Sequence, residues 1–408
     1  MAYLARAAFS TAAKPLPRRI TKIVGQLSEC LNPRTAMMKL VRSVDSELII
    51  GDKKITKPAP FIALGKPALE QALAYLNIAG SSGPGLVVLK KGLPYSEASL
   101  QAVKKLGVNV VYGNHPNPGE DSCLAACEIK RFIQQLPSNT SDLVALVTGG
   151  TTALISNNLE AAKHRSKLMS EGHSIEVLNT SNKEQELLHG GLAAFIRQEQ
   201  PNCYIHSLIL NDVAPNGLHL VGSGPTIDNH KNSSVYELHS SEQVKKILET
   251  YLEQQGYVLH VLPSDFLSHK EAEVVGNKLA WLSLGLQKQF SDKRLAFVAD
   301  GEAVVSQTIQ PGAIGGRCSL MAASAAKILR GSKHIDWLSL ATDGDDGNTR
   351  RPGFWVNGKT ATHVQNLERS IQSGNSGEAL ICSGYALPPQ GEYSSNVRDL
   401  VVGFVGIE

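Results

Sequence analysis

The chain has 408 residues, 42% of them hydrophobic and 19% charged, with a formal net charge of +3. That length exceeds what one core usually accommodates and predicts two domains. So small a charge, carried by scattered lysines, argues against a nucleic-acid partner, and apolar runs far shorter than about 18 residues argue against a membrane span.

The first 28 residues, MAYLARAAFSTAAKPLPRRITKIVGQLS, hold five basic residues and no acid, with Ser, Thr and Ala between them. This is the composition of a mitochondrial transit peptide, expected over residues 1–20. A plastid peptide and a basic helix of the fold itself are the alternatives, and cytoplasmic residence is the alternative location.

From there apolar β-type runs alternate with amphipathic stretches: PFIALG with KPALEQALAYLNIA, GLVVLKKG with SEASLQAVKKLG, NVVYGNHPNPGED with SCLAACEIKRFIQQL, and DLVALVTGG with TTALISNNLEAAKH. Strands separated by helices in this order predict a parallel sheet covered on both faces, an α/β architecture. A polar stretch near residues 228–242 precedes a second run of the same pattern, so we place an N-terminal domain at 21–240 and a C-terminal domain at 241–408. The six cysteines have neither disulfide-scaffold density nor zinc spacing and read as reduced, mostly buried thiols.

In open parallel sheets ligands gather where strands end. VTGGTTAL puts Gly149, Gly150, Thr151 and Thr152 between a strand and a helix, where free backbone N–H groups and hydroxyls could cradle a phosphate. GSGPT, with Ser223, Gly224 and Thr226, repeats the theme, and GAIGGR adds Gly315 and Gly316 beside a fixed positive charge. None of the three is a Walker loop or a dinucleotide fingerprint. Lys66 opens a helix, where a cation is unfavourable unless an anion compensates. Asp212 follows the apolar SLILN, and Asp343, Asp345 and Asp346 crowd into TDGDDG. The plain alternatives are tight turns, a helix cap and a solvated acidic loop.

Seven stretches then occur in a familiar order: IALGKPALEQALAYL, NHPNPGEDSCLAA, VTGGTTALIS, LILNDVAPNGLHLVGSGPTIDN, GEAVVSQTIQPGAIGGRCSLMAA, LATDGDDGN and SSNVRDLVV. In this the chain resembles the class II glycerate kinases, which join an N-terminal glycerate-kinase domain to a MOFRL-type domain. The resemblance implies two three-layer α/β domains with mainly parallel sheets and an active-site cleft between them. It implies ATP-dependent phosphorylation of D-glycerate to 2-phosphoglycerate, with magnesium on the nucleotide. By motif, Lys66, Asp212, Glu302 and Arg317 fall on functional positions, with substrate and phosphate expected between Glu302 and Arg317. Asp212 is the expected base, and Asp343 and Asp346 the expected magnesium ligands. The segment LNTSNKEQELLHGG departs from the family pattern, with Asn182 for an arginine, Gln185 and Glu186 for Leu-Ser, and His189 for a lysine. A kinase for another small hydroxy acid and a diverged non-catalytic member are therefore the alternatives. Hydroxypyruvate reduction is disfavoured because no dinucleotide loop is present.

Overall fold

The computed structural model of the chain describes residues 14–80, 83–93, 95–158, 160, 167, 187–213, 217–306, 310–389 and 395–407. The chain divides into two compact units, one of Asn32–Ser240 with Glu392–Val397 and the other of Met1–Leu31, Ser241–Gly391 and Arg398–Glu408. Among the described residues no helix is long and apolar enough to cross a membrane.

The first helix, α1 (Arg18–Cys30), buries Ile20, Ile23 and Leu27 on one face. Whereas the unit of the six-stranded sheet runs from Asn32, this helix groups by contact with Ser241–Gly391. Arg19 fixes it there: its Nε lies 2.5 Å from Asp336 Oδ2 and its Nη1 donates to the Gly406 carbonyl at 3.0 Å. Lys14 donates to the Tyr385 hydroxyl at 3.1 Å and rests over that ring. Of the expected transit peptide, residues 1–13 lie outside the described residues, and 14–20 are part of the folded unit.

In the unit that starts at Asn32, a three-stranded antiparallel meander, β1 (Val41–Val44), β2 (Glu47–Ile50) and β3 (Lys53–Thr56), precedes a six-stranded sheet. That sheet comprises β4 (Phe61–Leu64), β5 (Gly85–Lys90), β6 (Val108–Gly113), β7 (Asp142–Val147), β8 (Tyr204–Asn211) and β9 (Ser233–Ser240), all parallel, in the order β6-β5-β4-β7-β8-β9. Alternation along each strand divides the core. Phe61, Ala63, Val87 and Leu146 face α2 (Ala68–Ala79) and α3 (Glu97–Lys105), and Ile62, Leu64, Val88 and Val147 face α4 (Glu120–Gln135) and, beyond the short helix α5 (Thr151–Leu154), α6 (Gly191–Glu199). Each Val, Leu, Ile or Phe among these contributes about 1.5–3 kcal/mol when fully buried. Helix α3 shows why these segments are helical: Ser96 Oγ accepts from the Ser99 N–H, with Glu97 in the first turn and Lys104 and Lys105 in the last, complementing the dipole. The chain steps outward from β4 to β6 and then returns to β7 on the other side of β4. That reversal opens a crevice at the carboxyl ends of β4 and β7.

The second unit follows with α7 (Ser241–Gln254), β10 (Val258–Leu259), α8 (Ala272–Gln289), β11 (Leu295–Gly301), α9 (Arg317–Ile328), β12 (Ile335–Ala341), β13 (Gly353–Asn357) and β14 (Asp399–Val405). The sheet order is β10-β11-β14-β12-β13. The α/β class holds, but this sheet is mixed rather than mainly parallel. Strands β11 and β12 share a direction across the α9 crossover, and β14 fills the gap between them antiparallel to both. An apolar run such as DLVVGFV, buried along its whole length, is compatible with either direction and so left this open. Gly403 on β14 is required because a Cβ there would collide with the Phe297 ring.

Candidate functional site

The crevice at β4 and β7 gathers the residues expected from the first set of motifs. Gly65 leaves β4 at φ +117°, a left-handed conformation, and a Cβ there would stand 2.7 Å from the Thr148 carbonyl. This close crossing lets the Lys66 N–H donate to the Gly149 carbonyl at 3.0 Å. Gly149 is tighter still, since a Cβ would fall on Oδ2 of Asp212, at the end of β8. A Cβ on Gly150 would meet the Lys66 stem at 3.1 Å and His115 Nε2 at 3.3 Å. Lys66, Asp212 and the paired glycines are therefore brought together, as the parallel topology requires.

Two residues join them that the motif reading did not select. Asn396 donates from Nδ2 to Asp212 Oδ2 at 3.1 Å and is itself buried. His115, in the loop after β6, stands against Gly150. Both belong to quoted motifs, NHPNPGED and SSNVRDLVV, and the available signal was a polar side chain within three residues of a strand end.

Of the expected phosphate-binding hydroxyls, two are occupied by the fold. Thr151 is fully buried and donates to the Thr148 carbonyl at 2.7 Å, while Thr226 Oγ1 accepts from Ser207 at 2.8 Å inside the sheet. Thr152 and Ser223 share a hydrogen bond at 2.9 Å, which fastens the two glycine loops to each other. Gly222 and Gly224 adopt positive φ, and a Cβ on Gly222 would lie 2.5 Å from Thr151 Cβ, so these glycines serve close packing of the loops. His189 is exposed at φ +53°, and its N–H donates to the Ser223 carbonyl at 2.7 Å while the Gly190 N–H donates to Gly224 at 2.9 Å. Its backbone thus supports the second glycine loop. Asn182, Gln185 and Glu186 lie outside the described residues.

The other unit carries the second set. Arg317 forms an ion pair from Nη1 to Oε1 of Glu302, the two residues between which the substrate is expected. On its other side Nε lies 3.0 Å from Asp399 Oδ2 and Nη2 donates to Asp399 Oδ1 at 3.3 Å, a two-point grip. Asp399 is fully buried as the first residue of β14, and sequence reasoning missed it because its partner is 82 positions away. Burial pushes its carboxyl up to about 8 against the pull of Arg317, with Glu302, Asp346 and Asp343 adding to the push. Against its desolvation, Asp399 and Glu302 hold the Arg317 guanidinium protonated more firmly than usual.

Gly315 and Gly316 approach other backbone and side-chain atoms rather than an open cradle. A Cβ on Gly315 would stand 2.5 Å from the Gly374 carbonyl, and one on Gly316 would strike Asp346. Asp346 Oδ1 accepts from the Cys318 N–H at 2.7 Å and Oδ2 from Ser319 N–H at 2.8 Å. The positive end of α9, expected to take a phosphate, is capped by the protein's own carboxylate. Both oxygens of Asp346 thus cap the helix, a role that its expectation as a magnesium ligand did not include. Asp343 is half-buried at the end of β12 and accepts from the Asp345 N–H at 3.3 Å. Among the described residues no group of three or more His, Cys, Asp or Glu is arranged to hold a metal. Asp343 fits a magnesium ion that draws most of its ligands from nucleotide phosphates and water.

Residues 20–254 match the family described as Domain of unknown function (DUF4147), and residues 295–399 match the MOFRL family. The chain is 26% identical to the D-glycerate 2-kinase of Thermotoga maritima, with 96% of this chain and 98% of that protein covered. It is 27% identical to the glycerate 2-kinase of Sulfurisphaera tokodaii, with 88% and 93% covered. A crystal structure of glycerate kinase from Thermotoga maritima superposes with a TM-score of 0.75 at 23% identity, over 95% of this chain and 100% of that one, a likeness of fold.

Proposed function

Because the chain belongs to the class II glycerate kinase family, in its DUF4147-plus-MOFRL arrangement, we propose that it transfers the γ-phosphoryl group of ATP to D-glycerate and yields 2-phospho-D-glycerate. The observation that carries this reading is the crevice at β4 and β7, where Lys66, His115 and Asp212 surround two glycines with no room for a side chain. Phosphoryl transfer needs positioning and charge stabilisation more than covalent help.

In this reading Asp212, oriented by Asn396, accepts the proton of the attacking hydroxyl as the new O–P bond forms and the bond to the β-phosphate oxygen breaks, releasing ADP. Lys66 neutralises phosphoryl or carboxylate charge. Arg317, held by Asp399, offers its fork to an anion in exchange for the exposed Glu302. Magnesium, when bound, spreads the charge of the nucleotide phosphates, and Asp343 is the residue that would hold it, directly or through water. Import into mitochondria is part of the proposal and rests on the acid-free N-terminus, with the signal assigned to the residues ahead of Lys14.

The test is ADP formation by the purified chain with ATP, D-glycerate and magnesium, with the product assigned by phosphorus NMR as the 2- or 3-phosphate. Turnover that falls about 10²–10⁴-fold in Asp212→Asn supports the base assignment. Turnover with a different hydroxy acid and none with D-glycerate would overturn the substrate.

A further inference from the structure

A cavity of about 210 Å³ opens in the second unit between α1, α7 and the start of β11. Arg18, Arg19 and Lys22 of α1 and Arg294 ahead of β11 line it, with Tyr251 and Tyr257 on its wall and no carboxylate in the lining. Arg19 is answered by Asp336. Arg18, Lys22 and Arg294 have no carboxylate partner among the described residues. Arg294 lies over the Tyr257 ring at 4.5 Å, and its Nε is buried without a hydrogen-bond acceptor among the described residues. A buried donor without an acceptor is uncommon in folded proteins, and three like charges facing one cavity repel. A multiply charged anion relieves both.

The cavity is separate from the catalytic candidates of the same unit. Arg294 precedes β11 and Glu302 follows it, so the seven residues of that strand, at about 3.3 Å each, set the two at least about 23 Å apart along it. Arginine forks match phosphate oxygens at two points, and the tyrosine walls give a flat apolar side. The volume is below that of pockets for drug-sized ligands, so a compact anion fits it better than a nucleotide. We propose that this cavity is a second anion site, which binds a small soluble phosphate ester or polyphosphate whose charge matches the unpaired cations. The basic residues that look like a targeting signal are then part of a binding surface.

Titration calorimetry of the full chain with pyrophosphate tests this, using Arg18→Gln/Lys22→Gln, in which both altered residues are exposed and an unchanged melting temperature is the check on folding, beside Arg294→Gln. Affinity should fall at least tenfold in both variants and remain in Arg317→Gln, and ATP turnover in Arg18→Gln/Lys22→Gln without pyrophosphate should equal wild type. An isotherm in the cavity variants that superposes on wild type overturns the proposal. A lipid phosphate offers the same chemistry, so cosedimentation with phosphatidic acid vesicles forms a second arm. Cavity-dependent binding to vesicles with none to pyrophosphate also overturns a soluble ligand.

Discussion

Asp399 holds Arg317 through two contacts, Nε at 3.0 Å and Nη2 at 3.3 Å, and leaves the third nitrogen of the fork to the exposed Glu302. The buried partner fixes the direction of the guanidinium, and the exposed one is the contact an incoming anion can displace. Arg317→Lys keeps the charge but cannot span Asp399 and an anion together. We expect kcat/KM for glycerate to drop at least a hundredfold in this variant. Glu302→Gln, which only weakens the displaceable contact, should cost less than tenfold. Steady-state kinetics of both decide it, and equal losses would show that Glu302 does more than occupy the fork.

The same pair predicts a pH dependence. The folded Asp399 carboxyl titrates near 8, far above the ordinary value of about 3.9, so its protonated form is favoured in the fold. Stability from this group is complete below the unfolded value, declines as pH rises above it and is fully lost by about 8. Ionisation there also adds a negative charge that competes for Arg317. The KM for glycerate should therefore rise between pH 7 and 9, and the melting temperature should fall from about pH 4 to about 8 and level off above it. In Asp399→Asn both trends should flatten, and parallel pH profiles for the two proteins would remove Asp399 as their source.

Sequence patterning made the parallel sheet of the first unit legible, because apolar strands and amphipathic helices differ in period and Lys66, Gly149 and Asp212 each stand where a strand ends. It could not show that β14 enters antiparallel, since a strand buried on both faces reads alike in either direction. Nor could it distinguish a phosphate cradle from a close-packed turn. Gly315 and Gly316 carry the composition of the former and the contacts of the latter, and only the position of Asp346 separates the two. Asn396 and Asp399 lay hidden for a related reason, as each acts on a residue far away in the chain.

Gly149 offers a sharp test of the crevice. In Gly149→Ala the new methyl would occupy the place of Asp212 Oδ2 and break its hydrogen bond with Asn396. Activity should fall at least a hundredfold. Asn396→Ala removes the orientation of Asp212 without the clash and should lower kcat by about tenfold while KM changes little. An unchanged kcat in Asn396→Ala would mean that the hydrogen bond does not orient the base.

Asp346→Ala should act on stability. It removes the acceptor of the Cys318 and Ser319 N–H groups at the buried start of α9. Losing such a cap costs about 1–2 kcal/mol, and about 2–4 °C of melting temperature per kcal/mol is expected for a unit of this size. Calorimetry should therefore show a fall of roughly 2–8 °C. If Asp346 instead held magnesium, the variant would melt as wild type does and require more metal for half-maximal activity.

The N-terminal region separates into two parts with different expected behaviour. Arg19, buried, and Asp336, partly buried, form an ion pair, and removing one partner of a buried pair costs up to about 3–5 kcal/mol because the other charge is left uncompensated. Arg19→Gln should accordingly lower the melting temperature well beyond the effect of Arg18→Gln, whose side chain is exposed. Deleting residues 2–13 removes none of these contacts, so the shortened protein should keep the wild-type melting temperature. If the targeting signal lies ahead of Lys14, the deletion should also abolish mitochondrial accumulation of a fluorescent fusion. A deletion that melts early would place residues 2–13 in the fold, and unchanged distribution of the fusion would remove them as the signal.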